Sequence, residues 1–589
     1  MRRSRDASRS NMAVARCLQG PRCHIRYRSS CRVAACHVLL LLLSLLAVVP
    51  LAAPEALHRS VVLEQRSGKL RVVRGLRRDG VAWANFTDNI KATGWSYLEL
   101  GTNGTYDDRI QAYAAGVLEA EVTRPYIYMH WMNTLFHYCG SFKYQTAYCD
   151  KLKNYIETNL KWIEENLAEI PLADKDNKAY WHQVHLALLQ LQGLEDGYNK
   201  HILFPTRKLN IQPFGLILFQ MSGDLEDLEN VLNKSDSSKM FGSGSCSALI
   251  KLLPGNKELL VSHDTWSNYQ TMLRIMKKYK LSFKSVPGGD LIPGEVQAFS
   301  SYPGMIFSGD DFYILSSGLV TLETTIGNNN AQLWSFVKPV GSVMEWLRNI
   351  VANRLARNGA EWAAIIRKFN SGTYNNQWMI VDYNFFTPGQ LNISKNLLTI
   401  LEQIPGQIVV ADKTDELMKR GYWASYNIPY FKEIFNASGQ LDLFKKYGDW
   451  FSYDKSPRAL IFRRNQTMVT DVDSIIKLMR YNNFMYDPLS VCQQCTPKPN
   501  GENAISARSD LNPANGSYPF SALALRSHGG TDMKVTSFEL HKAYQMIAVS
   551  GPTWDQVPAF QWSKSPFRNL VHLGHPDLWK FLPVKVEWK

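Results

Sequence analysis

The stretch "CSALIKLLPGNKELLVSHDTW", residues 246 to 266, sets two strand-length apolar runs on either side of Pro254, Gly255 and Asn256. No other segment limits the fold so tightly. Runs rich in Leu, Ile and Val, bounded by residues that favour tight turns, read as a β-hairpin. With the turn centred on Gly255, Leu252 is expected opposite Glu258, and Cys246 opposite Asp264. A slip of two residues would keep His263, Asp264 and Trp266 at the same end. Opposed side chains in an antiparallel pair have Cβ atoms about 5 Å apart. The hairpin is therefore expected to gather a thiol, an imidazole and a carboxylate.

Cysteine usage makes Cys246 stand out. Cys17, Cys23, Cys31 and Cys36 fall in the first 53 residues, which leaves Cys139, Cys149, Cys246, Cys492 and Cys495. In an oxidising compartment the simplest disulfides are Cys139 with Cys149 and Cys492 with Cys495, so Cys246 keeps a free thiol. A redox motif or half a zinc site is the rival reading of the C-x-x-C at Cys492, although no second Cys or His pair stands nearby.

The compartment follows from the leader. Nine arginines and one acid precede the apolar run Val38 to Val49, and the small residues Ala52, Ala53 and Ala56 offer cleavage sites. That order reads as a signal peptide over 1–53, starting at Met1 or Met12. A signal anchor is the alternative, since Leu51, Ala52 and Ala53 extend the run. No later stretch is long and apolar enough to span a membrane. Seven sequons, at Asn85, Asn103, Asn233, Asn392, Asn436, Asn465 and Asn515, agree with secretory glycosylation. The chain has a formal charge of +14, but the leader carries most of it and the rest comes to only +6. A nucleic-acid partner loses its support on that ground.

Amphipathic periodicity predicts helices over Arg109 to Val122, Lys151 to Leu167 and Lys178 to Leu194, a helical layer with aromatic core positions. Short strands are expected over 60–100. More strands are expected in "DDFYILSSGLVTLETTI", "QWMIVDYNFF", "GQIVVADKT" and "RALIFRR", with helices around Trp346 to Asn358 and Asp471 to Tyr481. Asn230 to Ser245 is a polar linker that ends in Gly/Ser. The expectation is an α/β (α+β) protein of antiparallel sheets covered by helices, with an N-terminal part 54–245 and a C-terminal part 246–589.

Three chemistries could use the thiol. A papain-like pair places its histidine far downstream, and a serine elbow needs G-x-S-x-G, which "GSGSC" lacks. The third is self-processing. Cys246 attacks the carbonyl of Ser245, the acyl group moves from nitrogen to sulfur, and water releases the new chain. Gly/Ser ahead of the thiol lets the scissile peptide bend toward it. Cleavage would free an α-amine on Cys246 with an ordinary pKa near 8, suited to act as base for its own thiol.

"FGSGSCSALIKLLPGNKELLVSHDTWSNYQTMLRIMKKY", "SYPGMIFSGDDFYIL", "LETTIGNNN", "NNQWMIVDYNFF" and "RGYWASYNIPYF" resemble the phospholipase B-like family from about residue 60 to the end. The resemblance implies an N-terminal nucleophile hydrolase with an αββα sandwich, cut before its cysteine and delivered to the lysosome lumen by mannose 6-phosphate receptors that read its glycans. By position, Cys246 matches the nucleophile, and His263, Asp264 and Trp266 match the pocket segment of the second strand. Thr325, Asn427 and Arg458 match further pocket positions, with Asn427 as oxyanion donor, Asp264 orienting the α-amine and Arg458 biasing nearby ionisations. The implied reaction removes fatty acyl groups from phospholipids with no cofactor or metal. Cysteine enzymes of the wider fold typically cleave non-peptide amides, so an N-acyl amide substrate stays open, as does a non-enzymatic lumenal glycoprotein.

Overall fold

All seven residues of the strand Cys246–Leu252 are buried. Both its faces must therefore be covered, as in the middle of a layered sandwich. On one face Ala248 and Ile250, with Val261 of the second hairpin strand (Leu259–Asn268), pack on Met276, Phe312, Leu322 and Met379 of another sheet. On the other face Leu249 and Leu260 meet Phe462 and Ile475 from the helices Pro457–Asn465 and Val472–Met479.

The computed structural model describes residues 56–588 apart from 65, 140–145, 169–174, 205–208, 235–245 and 394. The hairpin sits in a seven-stranded sheet that faces an eleven-stranded one. Among the described strand-to-strand pairs all are antiparallel except Trp95–Thr102 with Arg274–Lys280. The far face of the larger sheet carries Leu98, Ile275, Leu319 and Ile380 against helices Asp108–Thr134 and Lys175–Asn199. A Cβ at Gly193 would run into the backbone of Tyr113, so glycine lets these two helices approach closely. The layers are helix, sheet, sheet, helix, as the family resemblance implies, and the helices extend further than the periodic segments.

Two expectations are corrected. Gly255 and Asn256 both take positive φ, 73° and 52°, so the chain reverses between Leu253 and Glu258 rather than about Gly255 alone. Register moves by one: Leu252 pairs with Leu259 and Cys246 with Thr265. Because side chains alternate, that single step puts Asp264 on the opposite face from Cys246. "RALIFRR" is helical, not a strand. Pro457 stands at the first helical position, where its missing N–H costs nothing and its φ suits the helix.

Both expected disulfides are formed, Cys139 with Cys149 and Cys492 with Cys495, and no group of three or more His, Cys, Asp or Glu among the described residues could hold a metal ion. Cys246 is the free cysteine among the described residues. The leader, Ser245 and most of the linker lie outside the described residues. No helix among the described residues is long and apolar enough to cross a membrane.

Candidate active site

Cys246 opens its strand, which lies next to the edge strand of the smaller sheet, on the face between the sheets, and is 4% exposed. With Thr265, Trp266, Tyr302, Thr325 and Tyr374 it lines a cavity of about 160 Å³. A second cavity of about 640 Å³ shares Trp266, Ser267, Thr325 and Glu226 with the first, and adds Asn427 and Arg458. The thiol thus lies behind a wider chamber. Burial raises its pKa, as does the carboxylate of Glu323, while a backbone hydrogen bond from Trp266 and the charge of Lys534 act the other way.

Arg458 organises the chamber. Its Nη1 donates to the carbonyl of Cys246 at 2.6 Å and its Nη2 to Oδ1 of Asn427 at 2.7 Å. The guanidinium carbon sits 4.2 Å from the centre of the Trp266 ring, a cation–π contact. Burial lowers the Arg458 pKa to about 10, which still leaves it cationic at neutral and acid pH. Asn427 follows the strand Tyr422–Ser425 with φ 67°, a left-handed conformation that asparagine tolerates, and its Nδ2 donates to the Thr325 carbonyl at 2.7 Å. With Oδ1 turned to Arg458, the amide has one orientation.

His263 is on the thiol's side of the sheet, but its ring is committed elsewhere. Nε2 donates to the Glu323 carbonyl at 2.9 Å, which leaves Nδ1 as acceptor toward Thr265 Oγ1 at 3.4 Å. Burial, then the charge of Lys534, lowers its pKa to about 3, so the ring stays neutral. Asp264 points away from the thiol and meets Ser506 over Gly530. Burial, then the carboxylate of Asp532, raises its pKa well above normal. The expected meeting of thiol, imidazole and carboxylate is therefore replaced by Cys246, Thr265 and His263 on one face and Asp264 on the other.

Sequence reasoning missed the charges behind the site. Lys534 Nζ donates to Thr265 Oγ1 at 2.6 Å and pairs with Asp532 at 2.8 Å. Arg274 pairs with Asp532 at 2.9 Å and with Asp310. All four charged side chains are fully buried. The available signal was Asp532 and Lys534 spaced two apart in the strand Asp532–Thr536, where they alternate with Met533 and Val535, which places both charges on one face. Tyr374 was missed too. It takes φ 51° and its hydroxyl donates to Asp311 Oδ2 at 2.7 Å, with Glu323 Oε1 at 3.3 Å.

Of the seven sequon asparagines, Asn233, Asn392, Asn436 and Asn515 are exposed and Asn103 is half-buried. Asn85 and Asn465 are buried.

A family model described as phospholipase B matches residues 82–586. The chain is 62% identical over 537 residues to phospholipase B-like 2 of Rattus norvegicus, covering 91% of each. The Homo sapiens protein of that name is also 62% identical, with 91% of this chain and 90% of the relative covered. Phospholipase B-like protein B of Dictyostelium discoideum is 40% identical over 85% of this chain and 84% of its own.

Proposed function

The chain belongs to the phospholipase B family, and from that membership we propose that it is a self-processed cysteine acyl hydrolase acting on phospholipids. The observation that carries this reading is the position of Cys246, a free thiol at the head of a fully buried strand, opening on a cavity that adjoins a larger chamber lined by Arg458 and Asn427.

The thiol acts twice. In the continuous chain its sulfur attacks the Ser245 carbonyl carbon, the C–N bond breaks as the nitrogen takes a proton, and a thioester forms. Water then hydrolyses the thioester, giving a carboxylate on Ser245 and a free thiol and amine on Cys246. This divides the mature protein into 54–245 and 246–589. In the cut enzyme the sulfur attacks the acyl carbonyl of the lipid. The ester C–O bond breaks, the leaving alcohol takes a proton, and water hydrolyses the second thioester to a fatty acid.

Each residue has a role in that sequence. Arg458 grips the carbonyl of Cys246 and so fixes the residue whose nitrogen becomes the α-amine. Asn427, held by Arg458, offers its amide to the tetrahedral oxyanion. Trp266 and Thr325 form the wall common to both cavities. In acid the new amine, with an ordinary pKa of about 8, is an ammonium, and its charge favours the thiolate beside it. Disulfides, sequons and the basic leader support a lumenal setting, which we assign to the lysosome with mannose 6-phosphate delivery.

The test pairs N-terminal sequencing with hydrolysis assays. The larger fragment should begin at Cys246, and Cys246→Ala should abolish both the cut and the release of fatty acid from phospholipid. Faster turnover of an N-acyl amide than of phospholipid would move the substrate class while keeping the nucleophile. Unchanged hydrolysis in the Cys246→Ala protein would end the enzymatic reading.

A further inference from the structure

Phe567 and Leu570 line the larger chamber, and the chain that continues from them turns apolar side chains outward. Leu570, Val571 and Leu573 are 37%, 39% and 41% exposed. This is not a loose loop. Leu573 donates its N–H to Asn133 Oδ1 at 2.7 Å and accepts from Asn133 Nδ2 at 3.0 Å. Gln270 Nε2 donates to the Val571 carbonyl at 3.2 Å. The His572 ring stacks on Trp562 at 4.2 Å, and its Nδ1 donates to the Leu570 carbonyl at 2.6 Å. Behind the turn, a Cβ at Gly574 would lie 2.6 Å from the sulfur of Met129. The backbone and the histidine are tied inward while the aliphatic side chains are held out. Exposed apolar groups kept in fixed positions beside a ligand chamber mark an interaction surface.

The charge of the segment identifies the partner. From residue 556 to residue 576 there is no Asp or Glu, and exposed Lys564 and Arg568 flank the apolar residues. The next acid, Asp577, is turned to its own loop by bonds from Gln561, at 2.7 Å, and from the Ser563 N–H, at 2.7 Å. Cations beside outward aliphatic groups match an interface with phosphate charge at its surface and hydrocarbon beneath.

We infer that the Lys564–Leu573 segment docks the protein on an anionic lipid surface, so that a phospholipid passes from that surface past Phe567 and Leu570 into the chamber. The inference rests on the phospholipid reading above and adds where the substrate comes from.

The experiment measures flotation of the processed protein with vesicles of ether-linked phospholipids, which carry the same headgroups but no cleavable ester. Phosphatidylcholine vesicles are compared with vesicles that also contain phosphatidylserine, at low and high salt. The protein should bind the anionic vesicles more tightly, and less so in high salt. Leu570→Ser/Val571→Ser/Leu573→Ser should weaken partitioning at least about tenfold on anionic vesicles. Lys564→Gln/Arg568→Gln should weaken binding to anionic vesicles by about fivefold per charge removed and leave the neutral ones unchanged. Both variants alter exposed side chains, so their melting temperatures should match that of the parent. Three results overturn the inference: vesicle binding that the variants leave unchanged, no binding at all, or loss in the variants of a dimer in place of vesicle binding. Segment-dependent binding without hydrolysis of ester phospholipids would keep this surface and remove the substrate assignment. Hydrolysis without segment-dependent binding would remove this surface alone.

Discussion

Arg458 holds the side chain of Asn427 in one pose, its Nη2 donating to Oδ1 at 2.7 Å while Nδ2 of the same amide donates to the Thr325 carbonyl. Three separate elements meet in that contact: a helix, a turn after an edge strand, and the end of a strand in the opposite sheet. A side chain fixed from two sides needs no reorganisation when charge develops in front of it, and that is the condition for effective oxyanion stabilisation.

Asn427→Gly tests the oxyanion role proposed for this amide. Asn427 has φ 67°, a value glycine adopts without strain, so the substitution removes the amide and spares the backbone. We expect kcat to fall about 100-fold or more, in the range seen when one oxyanion donor is lost, with KM changed much less. Steady-state kinetics of the processed enzyme, with its melting curve, would check this. An unchanged kcat would remove Asn427 from the chemistry.

Buried acids set a pH dependence of stability. Burial raises Asp311 to about 6, against hydrogen bonds from Tyr374 and Asn349 that lower it. Burial, then Asp311, raises Glu323 and Glu345 well above their usual range. A raised folded pKa means that the native state holds protons the unfolded chain has released, so stability falls as pH rises through the window. The window for Asp311 runs from about 4, its unfolded value, to about 6. Glu323 and Glu345 extend it upward. Buried histidines such as His263, lowered to about 3, act with the opposite sign, so the acids are isolated by substitution: between about pH 5 and about pH 7.5, Asp311→Asn should lose less stability, or gain more, than the parent. Thermal scans of both proteins across pH test this, and identical pH profiles would contradict it.

The layers of the fold were legible because they rest on periodicity, and the disulfides because only two close pairs of cysteines were available. The site was less so. Register depends on two positive φ values at Gly255 and Asn256, and composition shows that a turn exists without fixing where it closes. That one residue exchanged Thr265 for Asp264 opposite the thiol. Arg458 was picked out by resemblance, yet its local run was read as a strand because Leu, Ile and Phe suit either element. The helix is decided by Pro457 at its start and by the core beneath Ile461 and Phe462. Lys534 and Asp532 went unnoticed because a charge pair in a strand announces a solvated face far more often than a buried one.

Tyr374 gives a test of close packing at the site. Its ring lies against Gly223, where any Cβ would collide with it, and its own φ of 51° is unfavourable for a bulky residue. Gly223→Ala should therefore displace the ring from the cavity it shares with Cys246, at a cost of about 1–3 kcal/mol for overpacking, and lower kcat. Tyr374→Phe keeps the ring and removes only the hydroxyl bonded to Asp311. It should cost less activity than Gly223→Ala, because ring placement is retained. Chemical denaturation and kinetics on the two proteins separate shape from hydrogen bonding. Equal activity losses would assign the effect to the hydroxyl.

Lys534 affects the thiol by charge and by position. Its ammonium favours the Cys246 thiolate, and its Nζ holds Thr265, directly across the ladder from Cys246. Lys534→Met leaves the Asp532 carboxylate with only Arg274 as its cation, and breaking a buried pair in this way costs about 3–5 kcal/mol. With the cation gone and Asp532 still charged, the thiol pKa should rise, so alkylation of Cys246 by iodoacetamide should need a higher pH. Lys534→Met/Asp532→Asn removes the opposing charges together. Part of the stability should return, and the alkylation midpoint should move back toward the parent value, because Asp532 raises the thiol pKa as Lys534 lowers it. A purely structural role would restore stability in the double variant without moving the midpoint in either protein. The rate of alkylation against pH, measured with the melting curves, distinguishes the two.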